Sequence, residues 1–200
     1  MLLNAAPQRG FSLVEVLVTI VVITVGLLGM FALQSRGSVI EMEAYQRAQA
    51  IALAQDMEAR IRNNRARFDA TFRTAYAQET APAVWGSAGS VNCPAGVVGA
   101  VAEGCQWGEL LLGKGETLGS GAALTEVGAM IGARGCVIAS SAPTDGAVGE
   151  YFVVVVWQGL QPSVDPASGS PAATCASTVN YGSGLRRGVV TRVLVPKLEG

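Results

Sequence analysis

A long apolar run near the N-terminus constrains this chain more than any other sequence feature. It extends from residue 11 to residue 33 of the 200 residues and contains one charged side chain. As a helix, these residues would extend about 34 Å, enough to cross the hydrocarbon core of a membrane with some tilt. The run is too long for an ordinary signal-peptide core, and no small-x-small cleavage site follows it. Arg9 and the initiator amine precede it without any acid, so we expect a cytoplasmic N-terminus and an exported remainder.

The one charge inside the run is Glu15, close to its start. A carboxylate in a membrane span costs a few kcal/mol or more, so it needs a partner or a function. Immediately before it come Arg9, Gly10 and Phe11. An uncleaved signal anchor in which these residues occur by chance is the simpler alternative. The coincidence of a basic residue, a glycine, a large apolar residue and an acid four residues later argues against it.

Residues 9–15, Arg-Gly-Phe-Ser-Leu-Val-Glu, resemble the class III signal of type IV prepilins and type II secretion pseudopilins. In that family a membrane prepilin peptidase cuts on the cytoplasmic side and methylates the new amine. The resemblance implies cleavage between Gly10 and Phe11, followed by N-methylation of Phe11. It also implies that Glu15 neutralises the amine of a neighbouring subunit during assembly, which would offset its burial in lipid.

The same resemblance implies three segments. Residues 1–10 would be the leader peptide, and residues 11–33 the transmembrane and assembly half of an N-terminal helix. Residues 34–200 would be a periplasmic pilin head that includes the second half of that helix. The protein would reside in the inner membrane by a single span before it reaches an extracellular pilus tip.

The composition disfavours an enzyme. The chain has no histidine, which removes the commonest general base and the commonest metal ligand. Its two lysines, Lys114 and Lys197, have no recognisable motif around them. Glu103, Glu109 and Glu116 could form an acid/base pair, but solvated loop charges are the favoured interpretation. We expect no cofactor. Without the first ten residues, 13 basic and 15 acidic side chains remain, which does not suggest a globally basic nucleic-acid binder.

Four cysteines lie beyond the apolar run, at positions 93, 105, 136 and 175. An even number in an exported segment, without any C-x-x-C spacing, indicates disulfides rather than zinc. Four cysteines allow three pairings, and the sequence does not choose among them. We favour Cys93 with Cys105 and Cys136 with Cys175, each of which could contribute ~2 to 4 kcal/mol.

The second half of the helix should reach about Asn63, since good helix formers dominate residues 41–62. One apolar stripe is predicted to pack on a sheet, and a short helical piece should follow around Phe68, Phe72 and Tyr76. The stripe consists of Met42, Tyr45, Ala48, Leu53, Met57 and Ile61.

Five arginines form a basic cluster near the end of this helix: Arg60, Arg62, Arg65, Arg67 and Arg73. A contact with DNA or with an acidic partner is one interpretation, because arginine forks well onto phosphates and carboxylates. A solvated helix face with favourable charges near its C-terminus is the preferred one.

Residues 86–149 hold 15 of the 25 glycines and should be largely connecting loop. Helical pieces are predicted at 107–112 and at 123–131, the latter stopped by the Gly-Ala-Arg-Gly of residues 132–135. Trp85 and Trp107 are expected to be buried anchors rather than binding platforms.

Strands are predicted late, at residues 136–139, 151–158 and 189–195, where β-branched and aromatic residues concentrate. The second of these should be buried on both faces and therefore central. Three antiparallel strands against the long helix give a single α+β head of ordinary size.

This order of elements is similar to the type IV pilin fold over the whole chain, and most similar to PilV-type minor pilins. The finer resemblance lies in Gly-Leu-Leu-Gly at 26–29, in residues 48–57 and 151–160, and in Tyr-Gly at 181–182 and Arg-Arg at 186–187. These matches are less specific than the signal. No proline lies between residues 11 and 82, so the helix kink of many major pilins is not expected.

The resemblance implies a minor subunit of a priming complex at the pilus tip. Its partners would be the prepilin peptidase, other minor pilins, the major pilin, the inner-membrane assembly platform and a tip adhesin. A minor pseudopilin of type II secretion is the nearest alternative, and a DNA-uptake pilin is the next. A membrane-anchored periplasmic enzyme is the third.

Overall fold

The computed structural model describes residues 10–68, 70–86, 93–119, 125–126, 130–140 and 149–195. The chain divides into two compact units, one that ends at Met42 and one that begins at Glu43.

Helix α1, Leu13–Asn63, is the longest element and has 51 residues. Its start and its end agree with the prediction from the apolar run and the helix formers that follow. With no proline in this part of the sequence, no residue removes a backbone donor from the helix.

In the second unit, α1 buries one face formed by Gln46, Ala50, Ala54, Met57 and Ile61. This spacing follows the 3.6-residue period of a helix, and four of the five residues pack in one core together with residues of the sheet. The C-terminal part of the predicted stripe is confirmed, since Met57 and Ile61 are buried and Leu53 is partly buried against the same core.

The prediction is wrong for the N-terminal part of the stripe. Met42 and Tyr45 are more than half exposed, and Ala48 is exposed as well. Gln46, only 6% exposed, lies on the buried face instead. A search for apolar residues passes over a buried glutamine, and the three-residue steps from Met42 to Ala48 drift away from a face that repeats every 3.6 residues.

Two further helices flank this core. A single 3₁₀ turn at Arg65–Arg67 leads to α2, Ala70–Tyr76, as predicted from the aromatic spacing. Helix α3, Ala100–Leu111, includes most of the piece predicted at 107–112 but begins earlier. Trp85 and Trp107 are buried as expected, and the Trp107 indole donates to the Leu53 carbonyl at 2.8 Å.

A small hairpin replaces the helix predicted at 123–131. Strand β1, Thr117–Leu118, pairs antiparallel with β2, Thr125–Glu126. The backbone groups of residues 125 and 126 therefore belong to a ladder and are not available to a helix. Residues 123, 124 and 127–129 of that prediction lie outside the described residues.

The main sheet has three strands in the order β3-β4-β5, all antiparallel. These are β3, Arg134–Ala139, β4, Gly149–Gln158, and β5, Arg186–Val195. The prediction that the middle strand is central and buried on both faces is confirmed. Together with α1, this sheet gives the α+β architecture expected of a pilin fold.

Side chains of β4 alternate between two cores, because successive residues of a strand point to opposite faces. Tyr151, Val153, Val155 and Trp157 pack in the core that contains the buried face of α1. Val154 and Val156 pack in a second core, which the segment between β4 and β5 covers. Its other buried members are Cys136, Ile138, Ala172, Cys175, Ala176 and Tyr181.

Two disulfides join Cys93 to Cys105 and Cys136 to Cys175, the pairings favoured from the sequence. The second one ties strand β3 to the residue that ends α4, Pro171–Thr174. It therefore fixes the covering segment to the sheet, while the first one joins α3 to the chain that precedes it.

Arg186, the first residue of β5, organises the covering segment. Its guanidinium donates to the carbonyls of Ala172, Cys175 and Ala176 and lies 5.2 Å from the centre of the Tyr181 ring. Burial lowers the pKa of Arg186, and Tyr181 and Asp165 only partly oppose this effect. One planar side chain thus satisfies three carbonyls at the end of α4.

We predict that Arg186→Lys lowers the free energy of unfolding by ~1 to 3 kcal/mol, because an ammonium cannot fork onto the same three carbonyls. Urea unfolding of the oxidised full-length chain in detergent measures this. Arg192→Lys is the matched control on the same strand. Arg192 is an exposed partner of Glu150, and its substitution should change stability by less than ~0.5 kcal/mol. Equal losses in the two variants would contradict the role given to Arg186.

Candidate processing and assembly site

The N-terminal end of α1 is open and accessible. Gly10 and Phe11 precede the helix, and the Phe11 side chain is 85% exposed. The Ser12 carbonyl accepts the N–H groups of Glu15 at 3.0 Å and Val16 at 3.2 Å, so the first helical turn closes immediately after Ser12. Glu15 is the third helical residue. The structure therefore places Gly10, Phe11 and Glu15 in one short, solvent-accessible segment, and Arg9 lies outside the described residues.

Nothing in the fold requires a glycine at position 10. A Cβ atom placed there would meet no atom within 4 Å, and its φ lies outside the left-handed region. The same open space surrounds Gly26, Gly29 and Gly37 on α1. By contrast, a Cβ on Gly104 would lie 2.5 Å from the Trp85 indole nitrogen. The described fold explains the glycine of α3 and gives no steric reason for a glycine at these four N-terminal positions.

The first part of α1 exposes its apolar side chains on all sides. From Leu13 to Leu33 every residue is exposed, and the helix is long and apolar enough to cross a membrane by length and composition. Its hydroxyl groups are satisfied within the helix, since Thr19 and Thr24 donate to the Val16 and Val21 carbonyls at 2.8 Å. Such a surface is stable in lipid or against other apolar helices, and costly in water.

Within the described part of the chain, no hydrogen bond or ion pair engages the Glu15 carboxylate. A carboxylate surrounded by apolar side chains is unfavourable without a cation nearby. The geometry thus supplies one unpaired negative charge at the start of an apolar helix. An ammonium group on another chain could form an ion pair with this charge.

Most of the basic cluster is neutralised within the head. Arg60 binds Asp56 at 2.7 Å and Glu103 at 2.9 Å, and Arg67 binds Glu103 at 3.3 Å. Partial burial lowers the pKa of Arg60, but the hydrogen bonds and charges of Asp56 and Glu103 outweigh it and hold this pKa above its ordinary value.

The other arginines of this cluster include two with partners in the head. Arg62 pairs with Glu58 at 2.7 Å, and Arg73 lies over the Tyr151 ring at 5.6 Å from its centre. These contacts favour the solvated and structural interpretation of the cluster over a phosphate-binding one.

Two of the three carboxylates considered as an acid/base pair, Glu103 and Glu109, have structural partners. Glu103 of α3 binds Arg60 of α1 and, just beyond that helix, the Asn64 amide and Arg67. Glu109 pairs with Lys114 at 3.2 Å. Over the described ranges, no group of three or more His, Cys, Asp or Glu residues is placed to hold a metal ion.

Comparison with known proteins adds one finding. Residues 6–31 match the prokaryotic N-terminal methylation motif, which is a type IV prepilin-like signal. The curated proteins gave no match, and the solved structures gave none either. The motif supports a type IV pilin-like or pseudopilin protein that is anchored in the membrane, processed by a prepilin peptidase and assembled with other pilins. It points to a structural subunit rather than an enzyme.

The sequence interpretation overlooked two site features. Ser12 and Glu15 form the sequence pattern Ser-x-x-Glu directly before an apolar run, which is typical of a helix start. In the described structure the Glu15 N–H bonds to the Ser12 carbonyl, and the two side chains form no capping box. Glu43, the first residue of the second unit, accepts the backbone N–H groups of Leu160 and Gln161 at 3.0 and 3.1 Å and pairs with Arg187 at 3.4 Å. The first feature was readable from the sequence. The second joins residues more than a hundred positions apart and has no local signal.

Proposed function

We propose that this chain is a minor type IV pilin of the PilV type. As a subunit of the priming complex at the pilus tip, it helps to initiate assembly and displays an adhesin, and so contributes to adhesion and twitching motility. The observation that carries the proposal is an N-terminal methylation motif on an apolar helix that exposes every side chain from Leu13 to Leu33. Two features support a minor subunit over the bulk filament protein. The α+β head holds two disulfides, and the sequence of the long helix contains no proline that would kink it.

In this proposal residues 1–10 are the leader, and the prepilin peptidase cuts between Gly10 and Phe11 and methylates the Phe11 amine. Residues 11–33 then anchor the subunit in the inner membrane, and residues 34–200 form the periplasmic head. The open space around Gly10 supports this role, because the fold itself does not select a glycine there. A glycine lets the backbone enter a narrow protease cleft.

Assembly proceeds by helix exchange. The apolar half of α1 leaves the bilayer for a bundle of similar helices formed with other minor pilins and the major pilin at the inner-membrane assembly platform. Most of its apolar contact is retained in the bundle. The Glu15 carboxylate pairs with the methylated amine of a neighbouring subunit, which compensates for the burial of both charges. The open positions Gly26 and Gly29 permit close helix contact in such a bundle.

A minor pseudopilin of type II secretion is the second candidate, because the methylation motif supports both classes. A DNA-uptake pilin is disfavoured by the ion pairs of Arg60, Arg62 and Arg67. Affinity purification of the tagged full-length chain from its own membranes, followed by mass spectrometry, separates the first two. Recovery of minor pilins and loss of surface pili on deletion are expected. Recovery of secretion pseudopilins with normal pili would assign the chain to the secretion system.

We predict that Gly10→Leu blocks processing, because a bulky side chain cannot replace the glycine at the proposed cleavage site. Only the precursor, longer by ten residues, should then be detected by immunoblotting of cell membranes. Gly37→Leu is the matched control, since it fills equally open space on α1 outside the signal and should be processed normally. Normal processing of Gly10→Leu would remove the proposed cleavage site.

We also predict that Glu15→Ala is processed normally but enters the assembled complex at least about tenfold less, because one partner of a buried charge pair is lost. The ratio of sheared pilus fraction to membrane fraction measures incorporation. Glu41→Ala, which removes an exposed carboxylate from the same helix, is the control and should be incorporated like the wild type. Unchanged incorporation of Glu15→Ala would exclude the charge-pairing role.

A further inference from the structure

Strand β5 forms one edge of the main sheet, and its outer side is open. The Leu185 carbonyl accepts the Gly159 N–H at 2.7 Å, so Leu185 faces β4 and every second residue from Arg186 onward faces away from β4. The Arg186 N–H has this outward direction, because it bonds to the Asp165 carboxylate at 3.1 Å. In the described part of the chain, four further outward residues have backbone groups without a hydrogen-bond partner: Gly188, Val190, Arg192 and Leu194.

The opposite edge of the sheet is covered by the chain itself. On the outer side of β3, Gly135 exchanges two backbone hydrogen bonds with Trp85, at 2.9 and 3.0 Å. The Ala139 N–H donates to the Ala77 carbonyl at 2.8 Å. Such covering is expected, because unpaired backbone groups at a sheet edge attract another strand.

Strand β5 shows none of the features that usually protect an edge strand. It has ten residues, pairs with β4 in continuous register without a bulge, and contains no proline. Over the described ranges, no other segment covers it between Gly188 and Leu194. A long, regular and uncovered edge of this kind is suited to pairing with a further strand.

Apolar side chains border the open edge on the second face of the sheet. Helix α4 covers this face as far as Gly188, where a Cβ atom would lie 2.8 Å from a side chain of that helix. Beyond it, Val190 is 41% exposed and Leu194 is 53% exposed. Arg192 lies between them, pairs with Glu150 of β4 and remains 63% exposed. The edge therefore combines free backbone groups with an apolar, basic, apolar order of side chains.

We propose that the outer edge of β5 pairs with an extended segment of another subunit, which adds a fourth strand to the sheet. The side chains of this segment opposite Val190 and Leu194 are apolar, and the one opposite Arg192 is acidic. In such a pairing the backbone hydrogen bonds supply affinity, and the side chains select the segment. The inference rests on the proposed function, which requires assembly with other subunits.

A second copy of this chain fits the edge less well. Two β5 strands that pair antiparallel over residues 188–194 would place Val190 opposite Arg192 twice. The two Arg192 side chains would then be diagonal neighbours on one face, without an acid between them. Repulsion between like charges weakens such a pair, whereas an acid opposite Arg192 strengthens it. The charge pattern therefore favours a different subunit.

Photo-cross-linking of the full-length chain in its own cells tests this. Benzoylphenylalanine replaces Val190 in one variant and Leu194 in another. Both should cross-link to one extended segment of another subunit, at residues about four positions apart and with an acidic residue between them, because paired strands advance together. Mass spectrometry locates the linked residues. The same replacement of Leu118, an apolar residue of the β1–β2 hairpin that is 65% exposed, is the matched control and should give no link to that segment.

A proline at the edge tests the backbone contribution. Val190→Pro removes an outward N–H and leaves the ladder to β4 intact, since proline is tolerated where an edge strand points its N–H at solvent. It should lower the yield of the Leu194 cross-link about tenfold. Val190→Thr keeps the N–H and should give a yield close to that of the wild type. Urea unfolding of the oxidised chain in detergent checks that the proline variant is folded, and the cross-link positions test the proposal without this variant.

Several outcomes would overturn the inference and leave the proposed function intact. They are a cross-link within the same chain, to β5 of a second copy or to a helix of another subunit, and the absence of any cross-link. An unchanged yield in folded Val190→Pro would also overturn it. Cross-links to an extended segment of a secretion pseudopilin would support the inference and overturn the proposed pilus role.

Discussion

In the part of the chain that the structure describes, no residue covers the start of α1, and the proposed function depends on this exposure. From Leu13 to Leu33 the apolar side chains are exposed all around the helix, so a bilayer or other helices must cover them. The carboxylate of Glu15, near the start of the helix, influences which of these two environments is favourable. In lipid the unpaired Glu15 carboxylate is energetically unfavourable, and beside a cation it can form a specific ion pair. A segment of this kind can exchange between the membrane and a helical assembly with little change in apolar burial, and it overlaps the N-terminal methylation motif at residues 6–31.

The second unit holds itself together by different means. Its central strand serves two cores, one closed by Met57 and Ile61 of α1 and the other by the segment between β4 and β5. That segment is fixed by the Cys136–Cys175 disulfide, by the guanidinium of Arg186 and by the Glu43 carboxylate. Polar side chains and cross-links thus order a long connection that has little regular structure of its own. Such a connection is a suitable place for specific contacts, because its conformation is fixed before binding.

Much of this architecture was readable from local sequence patterns. A proline-free run of helix formers predicts α1, and the β-branched residues at 151–158 predict a central strand, because both patterns arise from short-range preferences. The sequence pattern wrongly predicts a helix at Thr125 and Glu126, which belong to a short strand. A strand of two residues is too short to show the alternation that identifies strands. The burial of Gln46 and the contact of Arg60 with Glu103 depend on packing between distant segments, which no local pattern encodes. At the candidate site, the signal residues were found by their resemblance to the class III prepilin signal. The structure adds that the fold does not require Gly10.

In the proposed function, the apolar helix begins a processed, membrane-derived subunit. Intact-mass and N-terminal analysis of the wild-type protein, purified from the membranes of cells that express its own prepilin peptidase, tests it most directly. We expect a chain that begins at N-methylated Phe11 and lacks the first ten residues. A chain that retains Met1 and an unmodified leader in those membranes would contradict it.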